Sequence, residues 1–334
     1  MRKILAPVLL MFTATALLTG CKKDTNSSLT PVTLNEVAHS IFYAPQYAAI
    51  ELGYFEDEGI DLTLVNGAGA DKVMTALVSG DADIGFMGSE ASIYTYIQGD
   101  ADYAVNFAQL TQRAGNFLVG RTPEADFKWE NLVGKKVLGG RAGGMPQMVF
   151  EYILKKNGID PTKDLTIDQS ISFGLTAAAF TSSAADYTIE FEPFATTLEM
   201  EGSGAVVASL GTESGYVPYT AYSARKSYLK QHPEVIQSFT NAIQKGLDYV
   251  NSHSSEEIAK VISPHFKETP VDKLALIVDR YKSQDTWKED TVFEENSFTL
   301  LKRILEEAGE LKAEVPYNEL VTMDFSKKAA KNSQ

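Results

Sequence analysis

The chemistry this sequence offers most openly is carried by three glutamates, Glu90, Glu190 and Glu192. Each stands at or just beyond the end of a short apolar run, where a carboxylate accepts hydrogen bonds from a neighbouring donor. Glu190 and Glu192 alternate on one extended segment and share a face. Charged residues in a central strand rarely lie buried without a partner, so one of the two is expected to contact a ligand or a hinge. Glu90 follows Gly88 and Ser89. It either touches a ligand or only favours the dipole of the helix it opens, and Ser89 either joins it or caps that helix. The aromatic residues Phe42, Tyr43, Phe86, Phe173, Tyr187 and Phe191 lie at or near such ends. Most belong to a core, and two or three are expected to line a cleft. The stretch GGRAGGMP at 139–146 sets four glycines between an apolar run and a helix. Its backbone around Gly143, Gly144 and Met145 suits direct contact with a ligand. Because no matching acidic ribose partner follows, it is not read as a dinucleotide fingerprint. Arg141 is either a ligand clamp or half of an ion pair between lobes. The stretch GAGAD at 67–71, with Gly69 and Asp71, either offers amides to a polar ligand group or is only a tight turn.

Other chemistries lack their residues. Cys21 is the single cysteine in 334 residues, and His39, His232, His253 and His265 are scattered. No H-E-x-x-H or G-x-S-x-G occurs. No catalytic residue, metal site or cofactor is expected. Asp and Glu number 44 against 30 Lys and Arg, a net charge of −14. That balance argues against nucleic acid or an anionic membrane face as partner, and serves solubility.

The elements that must position these residues alternate between extended and helical. Extended runs fall at 32–38, 61–65, 84–87, 103–110, 117–119, 136–138, 165–170, 187–191, 205–210 and 219–224. Helical runs fall at 45–55, 71–79, 89–98, 146–157, 175–182 and 193–201. Beyond 224 the chain reads as nearly all helix, at 233–252, 255–262, 271–284 and 296–308. Strand–helix alternation in two series implies an α/β fold of two lobes, each a mainly parallel sheet flanked by helices. Ligands of such sheets lie at the carboxyl ends of the strands, which adds Gln109 and Thr111 to the candidates above.

The first 20 residues read as a leader to be removed. Arg2 and Lys3 precede an apolar run of about 15 residues, short of the roughly 20 that a bilayer core requires. The run ends at Leu18-Thr19-Gly20-Cys21, which resembles a bacterial lipobox. The resemblance implies a diacylglycerol on Cys21 and a chain held to the outer face of the cell membrane by lipid alone. Residues 21–31 then form a polar tether.

Three segments in order resemble the solute-binding receptors of ABC importers for sulfonates, nitrate and thiamine-precursor pyrimidines. They are GYFEDEGI at 53–60, within a longer similar stretch from 40 to 62, then ALVSGDADIGF at 76–86 and LVGKKVLGG at 132–140. The resemblance implies a two-lobed periplasmic-binding-protein fold closing on a small molecule. Lobe 1 would be 32–120 plus 223–334 and lobe 2 would be 121–222, with hinges near 121–123 and 219–224. It also implies a partner permease and ATPase, and a monomer. Three carboxylate candidates oppose a small anion, since like charges at 4 Å repel by about 4 kcal/mol at an effective dielectric near 20. A flat, amine-bearing aromatic such as a thiamine-precursor pyrimidine fits them better. Sulfonate, nitrate, riboflavin-like and aromatic-acid ligands remain alternatives. The pyrimidine synthases and desulfinases that resemble this fold rely on cysteine, and here none follows position 21, which leaves a cysteine-independent enzyme as the alternative class.

Overall fold

The computed structural model describes residues 29–171 and 174–332. Every extended run expected from the sequence is a strand to within two residues at either end. These are β1 (Thr30–Glu36), β2 (Ile60–Asn66), β3 (Ile84–Gly88), β4 (Ala104–Thr111), β5 (Phe117–Gly120), β6 (Lys136–Leu138), β7 (Thr166–Asp168), β8 (Tyr187–Glu190), β9 (Ala205–Ser209) and β10 (Thr220–Arg225). They build two five-stranded sheets, ordered β2-β1-β3-β10-β4 and β7-β6-β8-β5-β9. In the first, β1 runs parallel to β2 and β3, while β10 lies antiparallel between β3 and β4. The second repeats this plan, with β6 parallel to β7 and β8 and with β5 antiparallel between β8 and β9.

The antiparallel strand of each sheet is the one that arrives from the other. The chain therefore crosses between lobes at 112–116 and again at 210–219. This moves the crossings from the sequence expectation. Phe117–Gly120, assigned there to lobe 1, pairs in the second sheet, and Thr220–Arg225 pairs wholly in the first. Arg121 is not free to act as a hinge residue. Its guanidinium donates to the carbonyls of Phe180, Ser183 and Ala185 and lies 3.7 Å from the centroid of the Phe180 ring. The polar break at 121–123 looks like a linker in the sequence, whereas the true crossing at 114–116 is buried.

Local chemistry explains the helices that carry the sheets. Pro233 occupies the first turn of the Pro233–Ser252 helix, and Val235, Ile236, Phe239, Ile243, Leu247 and Val250 form its buried stripe. Ser254 and Glu257 close a capping box at the next helix, Ser255–Ile262. Four short α-helices were not expected, Leu210–Ser214, Lys226–Gln231, Tyr317–Leu320 and Asp324–Asn332. The last packs on the edge strand β4, where the Ser326 hydroxyl donates to the Phe107 carbonyl at 2.6 Å. That cover keeps an exposed strand edge from pairing with another chain.

Candidate functional site

Glu90 opens the Glu90–Ile97 helix just beyond β3. Its carboxylate folds back over Gly88, where an added Cβ would meet Oε2 at 2.1 Å. The glycine leaves room for the acid in this position, and a side chain there would displace the carboxylate. Glu90 is 3% exposed, and its Oε2 has no hydrogen-bond partner. Burial pushes its pKa up to about 7, against the opposing pull of its own amide, the Arg141 guanidinium and the Met145 amide. Arg141 and Met145 belong to the glycine loop of the other lobe, so the acid faces across the junction. Tyr94, one turn further on, donates to the Gly143 carbonyl at 3.3 Å and lies 3.8 Å from the Met148 sulfur.

Buried tyrosines lie near enough to feel this acid's charge. Tyr43 and Tyr219 are buried, and burial holds both phenols far above their ordinary range, reinforced at Tyr43 by the Glu36 charge and then Glu90, and at Tyr219 by Tyr43 and then Glu90. Tyr219 bonds Asn116 at 3.3 Å. Tyr43 meets Phe86 edge-on at 4.5 Å between centroids. Phe42 joins the lobes, with Phe191 at 5.4 Å, Tyr219 at 5.6 Å and Tyr281 at 5.4 Å. Gly115, on the first crossing segment, lets this ring approach, since a Cβ there would sit 2.4 Å from it. Tyr187 is not part of the cluster; its hydroxyl bonds Glu124 at 2.7 Å.

The other carboxylates differ in how they are satisfied. Glu190 accepts from the Thr188 hydroxyl at 2.6 Å and the Thr176 hydroxyl at 3.0 Å, and burial pushes its pKa up to about 7. Glu192 pairs with Arg280 at 2.6 Å and accepts from the Thr196 amide and hydroxyl, each at 2.9 Å. Arg280 reaches Glu199 as well, at 2.8 Å. The Glu192 carbonyl receives the Ser40 hydroxyl at 3.1 Å. Glu192 is therefore a clamp between lobes, fully occupied by protein groups.

Several expected site residues have other duties. Ser89 makes no side-chain bond to its helix and instead donates to the Pro218 carbonyl on the second crossing segment. In the turn at 67–71, the Gly67 and Gly69 amides donate to the carbonyls of Glu36 and Val37, and the Ala68 amide to Asn66. Asp71 is exposed. The tight-turn alternative describes this stretch. Gly143 donates to Gln147 Oε1 at 2.9 Å and Gly144 to the Arg141 carbonyl at 3.4 Å. Thr111 binds the Thr220 hydroxyl at 2.6 Å in the β4–β10 seam. Gln109 lines a cavity on the second crossing segment's side. Phe173 and Cys21 lie outside the described residues.

Sequence reasoning missed Glu36, which ends β1 fully buried and accepts from His39, Gln46 and Tyr47, each at 2.8 Å. The rule that a charged residue in a central strand rarely lies buried without a partner, which selected Glu190, applies to it equally. It also missed Tyr94, Asn116 and Arg280. Arg280 carried no signal, because its partner lies 88 residues away. Among the described residues no group of three or more His, Cys, Asp or Glu is placed to hold a metal ion, and no helix is long and apolar enough to cross a membrane.

The family profile described as NMT1/THI5 like matches residues 41–257, which holds both crossings and the Glu90 site. The chain belongs to the NMT1/THI5-like family. A curated relative, "Putative binding protein YtlA" of Bacillus subtilis (strain 168), is 44% identical over 311 residues, covering 93% of this chain and 92% of its own. Two solved structures share the two-lobed fold at low identity. The alkanesulfonate-binding protein SsuA of Xanthomonas axonopodis pv. citri, bound to MOPS, superposes with TM-score 0.70 at 15% identity, over 89% of this chain and 99% of that one. The periplasmic nitrate-binding protein NrtA of Synechocystis PCC 6803 gives 0.71 at 17%, over 91% and 89%. For this NMT1/THI5-like chain those likenesses concern the fold.

Proposed function

We propose that the protein is the extracytoplasmic solute-binding receptor of an ABC importer. Its two lobes close on a small aromatic molecule that carries an amino group, such as a thiamine-precursor pyrimidine. It is tethered through lipid on Cys21 and delivers its ligand to a permease and ATPase without altering it. Membership of the family and the YtlA relative support the receptor role. One observation carries the ligand class: Glu90 is buried where the lobes meet, beside Tyr43 and Tyr219, with one carboxylate oxygen unpartnered. Leaving a buried acceptor unsatisfied costs about 1–3 kcal/mol. A ligand amino group removes that cost, and the rings supply faces on which a flat molecule stacks. Closure over the ligand gives the permease a distinct shape to recognise.

A second reading rests on the raised pKa of the same residue. Protonated, Glu90 donates rather than accepts, and with Arg141 it forms a site for a sulfonate or nitrate. Calorimetric titration separates the two. Saturable heat with hydroxymethylpyrimidine or its formylamino analogue is expected. Silence with these, and clear heat with taurine or nitrate, overturns the amine reading in favour of the anion.

A further inference from the structure

A cavity of about 450 Å³ lies beside both crossing segments, and Glu90 is not among its lining residues. That volume is in the range of small-molecule sites. Gln112 of the first crossing segment and Tyr216 of the second both line it, as do Gln109, Lys288, Glu294 and Asn296. Two features on its wall lack partners. Gln109 is 1% exposed; its Nε2 donates to the Thr111 carbonyl at 3.0 Å, but its Oε1 accepts nothing. The Glu295–Glu307 helix begins on this wall, and no side chain caps its first turn. Helix starts carry unpaired amides and a partial positive charge, which favour a carboxylate.

The charges around the cavity are of both signs. Lys288 presents a mostly buried side chain whose nearest acid, Asp290, is 3.9 Å away. Glu294 stands at the helix cap and Glu295 in its first turn. Two of the lining residues are already engaged elsewhere, the Tyr216 hydroxyl with Asp285 at 2.8 Å and Gln112 with the same carboxylate at 3.0 Å. A simple anion would meet Glu294 and Glu295, and a simple cation would leave Lys288 and the helix start unanswered. We propose that this cavity is a second binding site for a small zwitterion, a free α-amino acid. Its carboxylate lies toward Lys288 and the helix start, and its ammonium toward Gln109 Oε1 and Glu294. Since both crossing segments wall the site, occupancy bears on the same connections that set the lobes' opening.

The site is independent of the ligand reading for the cleft, and its test keeps the two apart. The whole protein is titrated calorimetrically with glycine, L-alanine and L-serine, with acetate and methylamine as half-ligands. The expected result is saturable binding of at least one amino acid and of neither half-ligand. Binding is retained in Glu90→Gln and weakened roughly tenfold or more in Gln109→Leu and in Lys288→Met. Lys288→Met stands in if the buried Gln109→Leu variant does not fold. No saturable heat with any of the amino acids overturns the proposal. So does undiminished binding in the folded variants, or loss of binding in Glu90→Gln, which would put the amino acid in the cleft.

Discussion

Glu192 and Glu90 are both buried acids where the lobes meet, 1% and 3% exposed, yet the protein surrounds them in opposite ways. Glu192 has a guanidinium, an amide and a hydroxyl, and its backbone makes two further bonds, accepting from the Ser40 hydroxyl and donating to the Tyr281 hydroxyl. Nothing is left over for a ligand. Glu90 is answered only by its own amide, by the Met145 amide and by the Arg141 guanidinium across the junction, and keeps one oxygen without a partner. The first arrangement holds two lobes in register. The second is costly unless something arrives to complete it. Burial of an acid therefore says little by itself, and the count of its partners separates a clamp from a binding group.

The largest expected effect breaks the clamp. Arg280→Met leaves Glu192 buried and unpaired, and chemical denaturation should show a loss of about 3 kcal/mol, the lower end for a buried pair because Arg280 is partly exposed. Glu90→Gln should do the reverse. In the absence of ligand the variant should be no less stable than the parent, while ligand affinity falls by roughly 10-fold to 100-fold, as expected for losing one charged hydrogen bond. Its pH dependence sharpens the contrast. Glu90 and Glu190, raised to about 7 from an ordinary 4.5, hold protons in the folded state that the unfolded chain has released. Stability should thus fall as pH rises from 4.5 through 7, by at most about 1.4 kcal/mol per pH unit for each group. Melts across that range should show a shallower slope in Glu90→Gln.

Two smaller changes probe the contact between lobes. Gly115→Ala places a methyl group against the Phe42 ring. Overpacking of this kind costs about 1–3 kcal/mol. Chemical denaturation should show a loss of that size, which Phe42→Leu in the same chain should relieve by making room for the methyl group. Tyr94→Phe removes the bond to Gly143 and should weaken binding only severalfold, in line with about 0.5–1.5 kcal/mol for a neutral hydrogen bond.

The comparison also marks what the sequence could tell. Strands were legible because buried runs such as IGFM at 84–87 are short, apolar and bounded by polar turns. Sheet order followed less directly, and the crossings were misplaced. A strand that joins a new sheet antiparallel has the same local pattern as one that ends the old sheet. Glu90 was legible from its place after a strand, but its unpartnered oxygen was not, since that depends on a loop more than 50 residues away. The Gly67 and Gly69 amides looked available because nothing in a turn's sequence shows that the carbonyls of Glu36 and Val37 have already claimed them. Glu192 and Arg280 could be recognised as a clamp only once folding had brought them together.

A crystal structure of the protein with the compound that co-purifies with it bears most directly on Glu90. The account predicts a nitrogen donor of an aromatic ligand about 2.7–3.2 Å from Glu90 Oε2, with a ring of that ligand against Tyr43 or Tyr219. An oxyanion held by Arg141 at that place, or a ligand seated in the cleft without reaching Glu90, would contradict it.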